Sequence, residues 1–150
     1  MRMLVWHCER FEYRPIKKAI KDVEDIELRK NAFKNVLVVF ITVELDDEES
    51  MAGRVADEIV QLMRDVDAER VLLYPYAHLS SKLAPPSMAM RIVRMIYDEV
   101  RIRKVEVHMA PFGYYKEFTA HVLGHPLAER SRFITREEAT LERRKGKKTY

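Results

Sequence analysis

A single cysteine, Cys8, serves the whole 150-residue chain. One thiol cannot close an internal disulfide or frame a metal site with other cysteines, so the expected setting is a reducing one. Nowhere do eighteen apolar residues run together, and the apolar start Met1–Cys8 is too short for a secretory leader. The expectation is a cytoplasmic protein that does not enter a membrane. Glutamine occurs once, as Gln61, no Gly-Pro dipeptide occurs, and no serine sits in a Gly-x-Ser-x-Gly elbow. An excess of positive charge over the body of the chain is also missing. Net charge is +3, but residues 136–150 hold 6 of the 27 basic and 3 of the 24 acidic residues, leaving 21 of each in residues 1–135. A surface that neutralises many phosphates needs a basic body. This one suits a pocket for the end of a single strand.

What is present divides into one domain over residues 1–135 and a basic tail over 136–150. At 47% hydrophobic the chain can bury a core without staples. Residues 2–8 alternate at the two-residue period of a strand that is apolar on both faces. Phe11 and Tyr13 continue the alternation after a polar break at Glu9 and Arg10, which predicts a hairpin partner stopped by Pro15. Residues 16–34 are highly charged and lack periodicity, so they read as an irregular connection. Val36–Val43 is a continuous β-branched and aromatic run, a buried strand. Met51, Val55, Ile59, Leu62, Met63 and Val66 fall on one helical face, predicting a helix from about Ser50 to about Asp67. Val71–Tyr76 is the next strand. Pro85 and Pro86, with Ser87 as cap, open a second helix that points Met88, Ile92, Met95, Ile96 and Val100 inward. Lys104–Met109 and Tyr114–Val122 then read as a hairpin. Strands and helices alternate only in the middle, which gives an α+β fold with a mixed sheet and two main helices.

Bends concentrate in one place. Of four glycines and six prolines, two of each lie between Ala110 and Arg132. Beside them stand Tyr114, Tyr115, Lys116 and Glu129. Two rings and a lysine launched from a Pro-Phe-Gly turn can form a pocket wall that stacks on a base and presents a cation. The same residues also suit a half-buried aromatic hairpin with a solvated lysine. Other chemistry is poorly served. Ser80 and Ser81 beside His78 lie in a loop where serines bond to backbone. His7 and Cys8 are strand neighbours and point to opposite faces. His121 and His125 have helical metal spacing, but Gly124 and Pro126 oppose a helix, and on a strand they stand ~13 Å apart. The reading is of a site with no metal, no cofactor and no activated nucleophile. Ester hydrolysis still fits, since it needs only a placed water, a donor for the oxyanion and a held substrate.

Taken together, Tyr74-Pro-Tyr-Ala-His-Leu-Ser-Ser81, Ala110-Pro-Phe-Gly-Tyr-Tyr-Lys116 and Gly124–Arg132 resemble the N-terminal editing domain of archaeal threonyl-tRNA synthetases over essentially residues 1–135. The resemblance implies a D-aminoacyl-tRNA deacylase-like fold, with sheet on sheet flanked by helices, and a homodimer. It implies hydrolysis of serine wrongly esterified to threonine tRNA, helped by the 2′-hydroxyl of the tRNA's terminal ribose. By the same resemblance His78, Tyr115, Lys116 and Glu129 are the catalytic set. Val43, Ala77, Phe112 and Gly113, with Tyr114, would hold the terminal adenosine and its amino acid. Two alternatives stand beside this: a D-aminoacyl-tRNA deacylase of the same fold, whose Ser-Gln-x-x-Gln and Gly-Pro signatures are absent, and a non-catalytic module for tRNA acceptor ends or dimerisation. No class II synthetase motif is present, so the chain is not expected to charge tRNA.

Overall fold

The structure, a computed structural model, describes residues 1–137. Elements follow in the order β1 (Arg2–Lys18), β2 (Asn31–Thr42), a 3₁₀ turn (Glu49–Met51), α1 (Ala52–Asp65), β3 (Arg70–Pro75), α2 (Pro86–Ile102), β4 (Val107–Met109), β5 (Tyr114–Val122) and β6 (Glu129–Phe133). They make one mixed six-stranded sheet, ordered β4-β3-β2-β1-β5, with β6 sharing the outer edge of β1. Strands at both ends of the chain and helices in its middle give the expected α+β fold. Most of the expected tail, residues 138–150, lies outside the described residues.

β1 is the spine. Its inner edge pairs antiparallel with β2, while on its outer edge Arg2–Trp6 pair with β6 and Cys8–Lys18 pair with β5. The polar break at Glu9 and Arg10 does not end the strand, as its polarity suggested. It is a bulge: the β1–β5 register shifts between Cys8 and Arg10, and on the facing strand Asn35 takes a left-handed φ of 44°. The slip changes the parity of inward residues, so Cys8, Phe11 and Tyr13 all reach the same face. Nor does Pro15 stop β1, because the register slips again between Pro15 and Lys17 and the strand continues to Lys18. β2 correspondingly begins at Asn31, taking in residues that read as an irregular connection.

Asn35 and His7 are held in one chain of hydrogen bonds. Asn35 Nδ2 donates to the Asp67 carbonyl at 3.3 Å, and His7 Nε2 meets Asn35 Oδ1 at 2.7 Å. His7 Nδ1 meets His125 Nε2 at 2.7 Å, and the Leu127 N–H donates to His125 Nδ1 at 3.2 Å. One proton assignment satisfies every atom: both imidazoles neutral, each donating through Nε2. This is where His125 is used, as a tether for the turn between β5 and β6.

Parallel pairing runs the other way from the expected hairpin. β4 pairs parallel with β3 at one end of the sheet, while β5 joins β1 at the other. Residues 104–109 and 114–122 are therefore consecutive but not partners. The correction has a physical source: β3 has an unpaired edge beside α2, and a chain leaving α2 closes it by a short crossover. Lys104 at φ 61° and Asp67 at φ 55° turn the chain out of α2 and α1, a job usually given to glycine. Ser87 is not the cap of α2; Pro85 holds that position and Pro86 is the first helical residue.

Two cores result. One face of the sheet packs Met3, Val5, Leu37, Val39 and Ile41 against α1 and α2 through Val55, Ile59, Ile92 and Ile96. The other face is aromatic, with Phe11, Tyr13, Phe40 and Tyr74 buried. Phe118 of β5 stacks on Phe11 with centroids 5.3 Å apart and also meets Tyr74 at 5.9 Å. In a flat sheet β5 and β3 would stand roughly 14 Å apart. The sheet therefore curls, carrying β5 over its own aromatic face, and the layering implied by the resemblance is one sheet folded onto itself. Among the described residues no helix is long and apolar enough to cross a membrane.

Candidate functional site

The curl encloses a cavity of about 500 Å³, within the range of small-ligand sites. Its floor comes from the carboxyl ends of two parallel strands, Ile41–Val43 after β2 and Tyr74–His78 after β3, where ligands commonly bind in such sheets. Ala89 and Val93 of α2 form one wall, and Phe112–Lys116 with Phe118 form the other. Loop 43–47 and loop 77–84 are laced together at the rim. The Leu45 N–H donates to the Lys82 carbonyl at 3.0 Å and the Ala84 N–H to the Val43 carbonyl at 3.1 Å. Ser80 is part of this lacing rather than a nucleophile. Its hydroxyl donates to Glu44 Oε2 at 2.6 Å and accepts from the Lys82 N–H at 3.1 Å.

Lys116 is the one formally charged side chain on the cavity wall among the described residues. Its Nζ donates to the carbonyls of Pro111 at 2.8 Å and Tyr114 at 3.0 Å, and lies 5.0 Å from the centroid of the Tyr74 ring. Among the described residues no carboxylate joins it. Burial without a counter-charge disfavours the ammonium and lowers the amine from the ordinary value near 10.5 to about 8. The group is therefore still mostly charged at neutral pH, yet holds that proton far more loosely than a surface lysine. Burial acts oppositely on Cys8, pushing its thiol up to about 12, which makes it an inert core residue.

Gly113 sets the turn that delivers Lys116. Its φ is 78°, and a Cβ there would stand 2.5 Å from Val23 Cγ1. Its carbonyl accepts from the Ala19 and Ile20 N–H groups at 2.8 and 3.1 Å, and the Tyr114 hydroxyl donates to the Glu24 carbonyl. Loop 19–25 is thereby strapped to the turn, and Ala19 and Ile20 become cavity lining. Periodicity did not reveal them, since they lie in a stretch that reads as irregular.

Of the anticipated residues, His78, Tyr115, Lys116, Val43, Ala77, Phe112, Gly113 and Tyr114 all border the cavity. His78 is exposed with its ring edge-on to Tyr76, centroids 4.8 Å apart, and Tyr115 is 58% exposed at the mouth. Tyr114 is buried behind the wall. Glu129 is not brought to the cavity. It begins β6 opposite Trp6, exposed, and shares the aromatic face with it; Trp6 in turn meets Phe118 at 6.3 Å. Thr42 and Phe118 also line the cavity and carried no sequence signal beyond strand propensity, whereas Tyr74 opens the Tyr-Pro-Tyr-Ala-His segment read from the sequence.

The Lys116 geometry has a measurable consequence for stability. The unfolded chain binds a proton between pH 8 and 10.5 that the folded chain does not, so this group's penalty is full below pH 8 and vanishes as pH rises past 10.5. Lys116→Met is expected to be more stable than the parent at pH 7 by about 1–3 kcal/mol, with the gap closing towards pH 10.5. Denaturant unfolding across pH 7–10.5 measures it; a variant less stable at pH 7, or a gap that ignores pH, refutes the account.

Known proteins resemble this chain in sequence and, separately, in fold. The family model described as the archaea-specific editing domain of threonyl-tRNA synthetase matches residues 1–134. A threonine-tRNA ligase of Pyrococcus furiosus is 46% identical over 147 residues, covering 95% of this chain and 24% of that protein. The ligase of Caldivirga maquilingensis is 41% identical over 155 residues, covering 100% and 25%, and that of Nitrosopumilus maritimus 40% over 141, covering 93% and 22%. The chain thus spans about a quarter of the length of these relatives. Among solved structures, c-Myc DNA Unwinding Element Binding Protein superposes with a TM-score of 0.68 at 11% identity, covering 89% of this chain and 99% of that one, which establishes a D-aminoacyl-tRNA deacylase-like fold. With the family match running from the first strand to the end of the last, the chain belongs to the archaea-specific editing domains of threonyl-tRNA synthetase.

Proposed function

We propose that this domain hydrolyses the ester of L-serine mistakenly attached to threonine tRNA, in the cytoplasm, with the terminal adenosine held in the cavity. The observation that carries the reading is Lys116: an ammonium with no carboxylate partner, in an otherwise uncharged cavity that ends beside an exposed aromatic ring. Such a cation can hold an attacking water or an oxyanion without a base partner, and a dry setting makes it effective. Backbone at Val43, Ala77, Phe112 and Gly113 is suited to hold the adenosine and amino acid, with His78 and Tyr115 at the rim. Glu129 joins the site only if the substrate reaches across Trp6 and Phe118. The terminal 2′-hydroxyl supplies the assistance that no side-chain base provides.

The need follows from magnitudes. Serine lacks one methyl of threonine, and a methyl supports only ~1–3 kcal/mol of discrimination. Deacylation of seryl-tRNA and threonyl-tRNA side by side, with L and D amino acids, is the test. Release of L-serine with threonine spared supports the reading. Preference for D-aminoacyl esters favours the deacylase alternative, and no release from any favours a binding module. A tRNA ending in 2′-deoxyadenosine is expected to bind but not turn over.

Lys116→Met is expected to slow seryl-tRNA hydrolysis by ~10 to 1000-fold, the range for losing one such contact. Lys116→Arg keeps charge but spreads it over a planar fork. Should it keep the full rate on seryl-tRNA but begin to hydrolyse threonyl-tRNA, the residue discriminates by placing water; should neither variant change either rate, the cluster is not the site.

We also propose a homodimer. Trp6, Phe118 at 40% exposure and the half-buried Leu4 leave part of the aromatic face uncovered. Sedimentation at tens of micromolar, an order-of-magnitude working concentration, should give a dimer; a monomer there overturns it.

A further inference from the structure

We propose that Lys17 and the exposed ring of Tyr115 form a second nucleotide subsite at the cavity mouth, which takes the phosphodiester and base on the 5′ side of the terminal nucleoside. It rests on the reading above that a terminal nucleoside occupies the cavity. Lys17 is the direct ladder partner of Tyr115, and its Nζ lies 5.7 Å from the centroid of that ring. Both side chains are exposed. The register slip between Pro15 and Lys17 falls beside this pair, and bulges of this kind re-aim side chains next to sites.

Charge singles Lys17 out. Its neighbour Lys18 is neutralised by Asp25 at 2.6 Å. Among the described residues no carboxylate forms a salt bridge with Lys17. Glu117, two residues along β5 from Tyr115, stands opposite Arg14 in the ladder rather than opposite Lys17. A cation resting on an aromatic face with no salt-bridged carboxylate among the described residues, beside a cavity proposed to hold one nucleoside, matches what a single-stranded end requires. The ring offers a stacking surface for any base and the ammonium meets the connecting phosphate. The near-neutral body of the chain raises the weight of this one contact, because a single phosphate here accounts for a large share of the electrostatic attraction.

The test compares two non-hydrolysable ligands by titration calorimetry on the full chain: seryl-3′-amino-adenosine, and the same group on cytidylyl-(3′→5′)-adenosine. The second adds one base and one phosphate. Wild type is expected to bind the dinucleotide about tenfold tighter, a typical stacking increment, with a salt slope steeper by about 0.7 for the added phosphate. Lys17→Gln should leave the mononucleoside affinity unchanged, remove the extra salt slope and cut most of the dinucleotide advantage. Lys17→Arg should restore both. Equal affinity of wild type for the two ligands overturns the subsite while leaving the cavity reading intact. An advantage and salt slope that persist in Lys17→Gln overturn the role of Lys17. If wild type binds neither ligand, the cavity reading falls and takes the subsite with it.

Discussion

Everything about this molecule depends on one long strand that cannot stay flat. β1 runs 17 residues, about three times a typical strand, and three different partners share its two edges. Twist accumulates over that length, and two register slips, at Cys8–Arg10 and Pro15–Lys17, concentrate it. The first slip brings Phe11 and Tyr13 onto the aromatic face. The second aims the strand's end at the turn carrying Gly113. Without the curl, Phe118 would not touch Tyr74, and the cavity between β5 and the ends of β2 and β3 would be an open edge.

The curl also explains why Lys116 can be kept where it costs stability. Buried cations are rare unless paired, and this one is paired only with two carbonyl dipoles and a ring face. Both carbonyls belong to the same turn as the lysine, so the stabilising contacts move with it. The turn itself is strapped to loop 19–25 through Gly113, whose backbone excludes a side chain. Loosely protonated amines held by rigid backbone recur at functional sites, and the role proposed for Lys116 draws on that.

Much of this was legible in the sequence, for identifiable reasons. A continuous β-branched and aromatic run marked β2, a short apolar run marked β3, and 3.6-residue periodicity marked both helices, because each buries one face against the same core. The site cluster was legible from the crowding of Gly and Pro around Tyr114–Lys116. Pairing was not. Whether 104–109 bonds to its sequence neighbour or to β3 is settled by which sheet edge is empty, a fact about strands far away in the chain. The bulge at Glu9 and Arg10 looked like an end because a slip and a stop both interrupt alternation. Glu129 entered the catalytic set through the resemblance, and its nearness in sequence to the turn does not bring it to the cavity wall, because it begins β6 opposite Trp6. Lys17 could not be read from pattern, since a charged residue at a strand end looks the same whether it faces water or a ligand, and Ala19 and Ile20 lie in a stretch without periodicity.

An editing site for serine faces a problem opposite to that of most pockets. It must accept the smaller amino acid and spare the larger, so simple exclusion by volume would have to operate at the scale of one methyl group. A half-open cavity of about 500 Å³ is a poor instrument for that, because a wall that yields by a fraction of an ångström admits both. Water placement is a sharper one. A hydrolytic water must sit within hydrogen-bond reach of its donor and near the ester carbon at once, and a methyl intruding on that point displaces it altogether. On the proposed reading Lys116 would discriminate through the water it holds rather than through the amino acid it touches. A protein nucleophile would, on the same reading, be a liability, because any group able to attack the ester without the water would attack threonine's ester too.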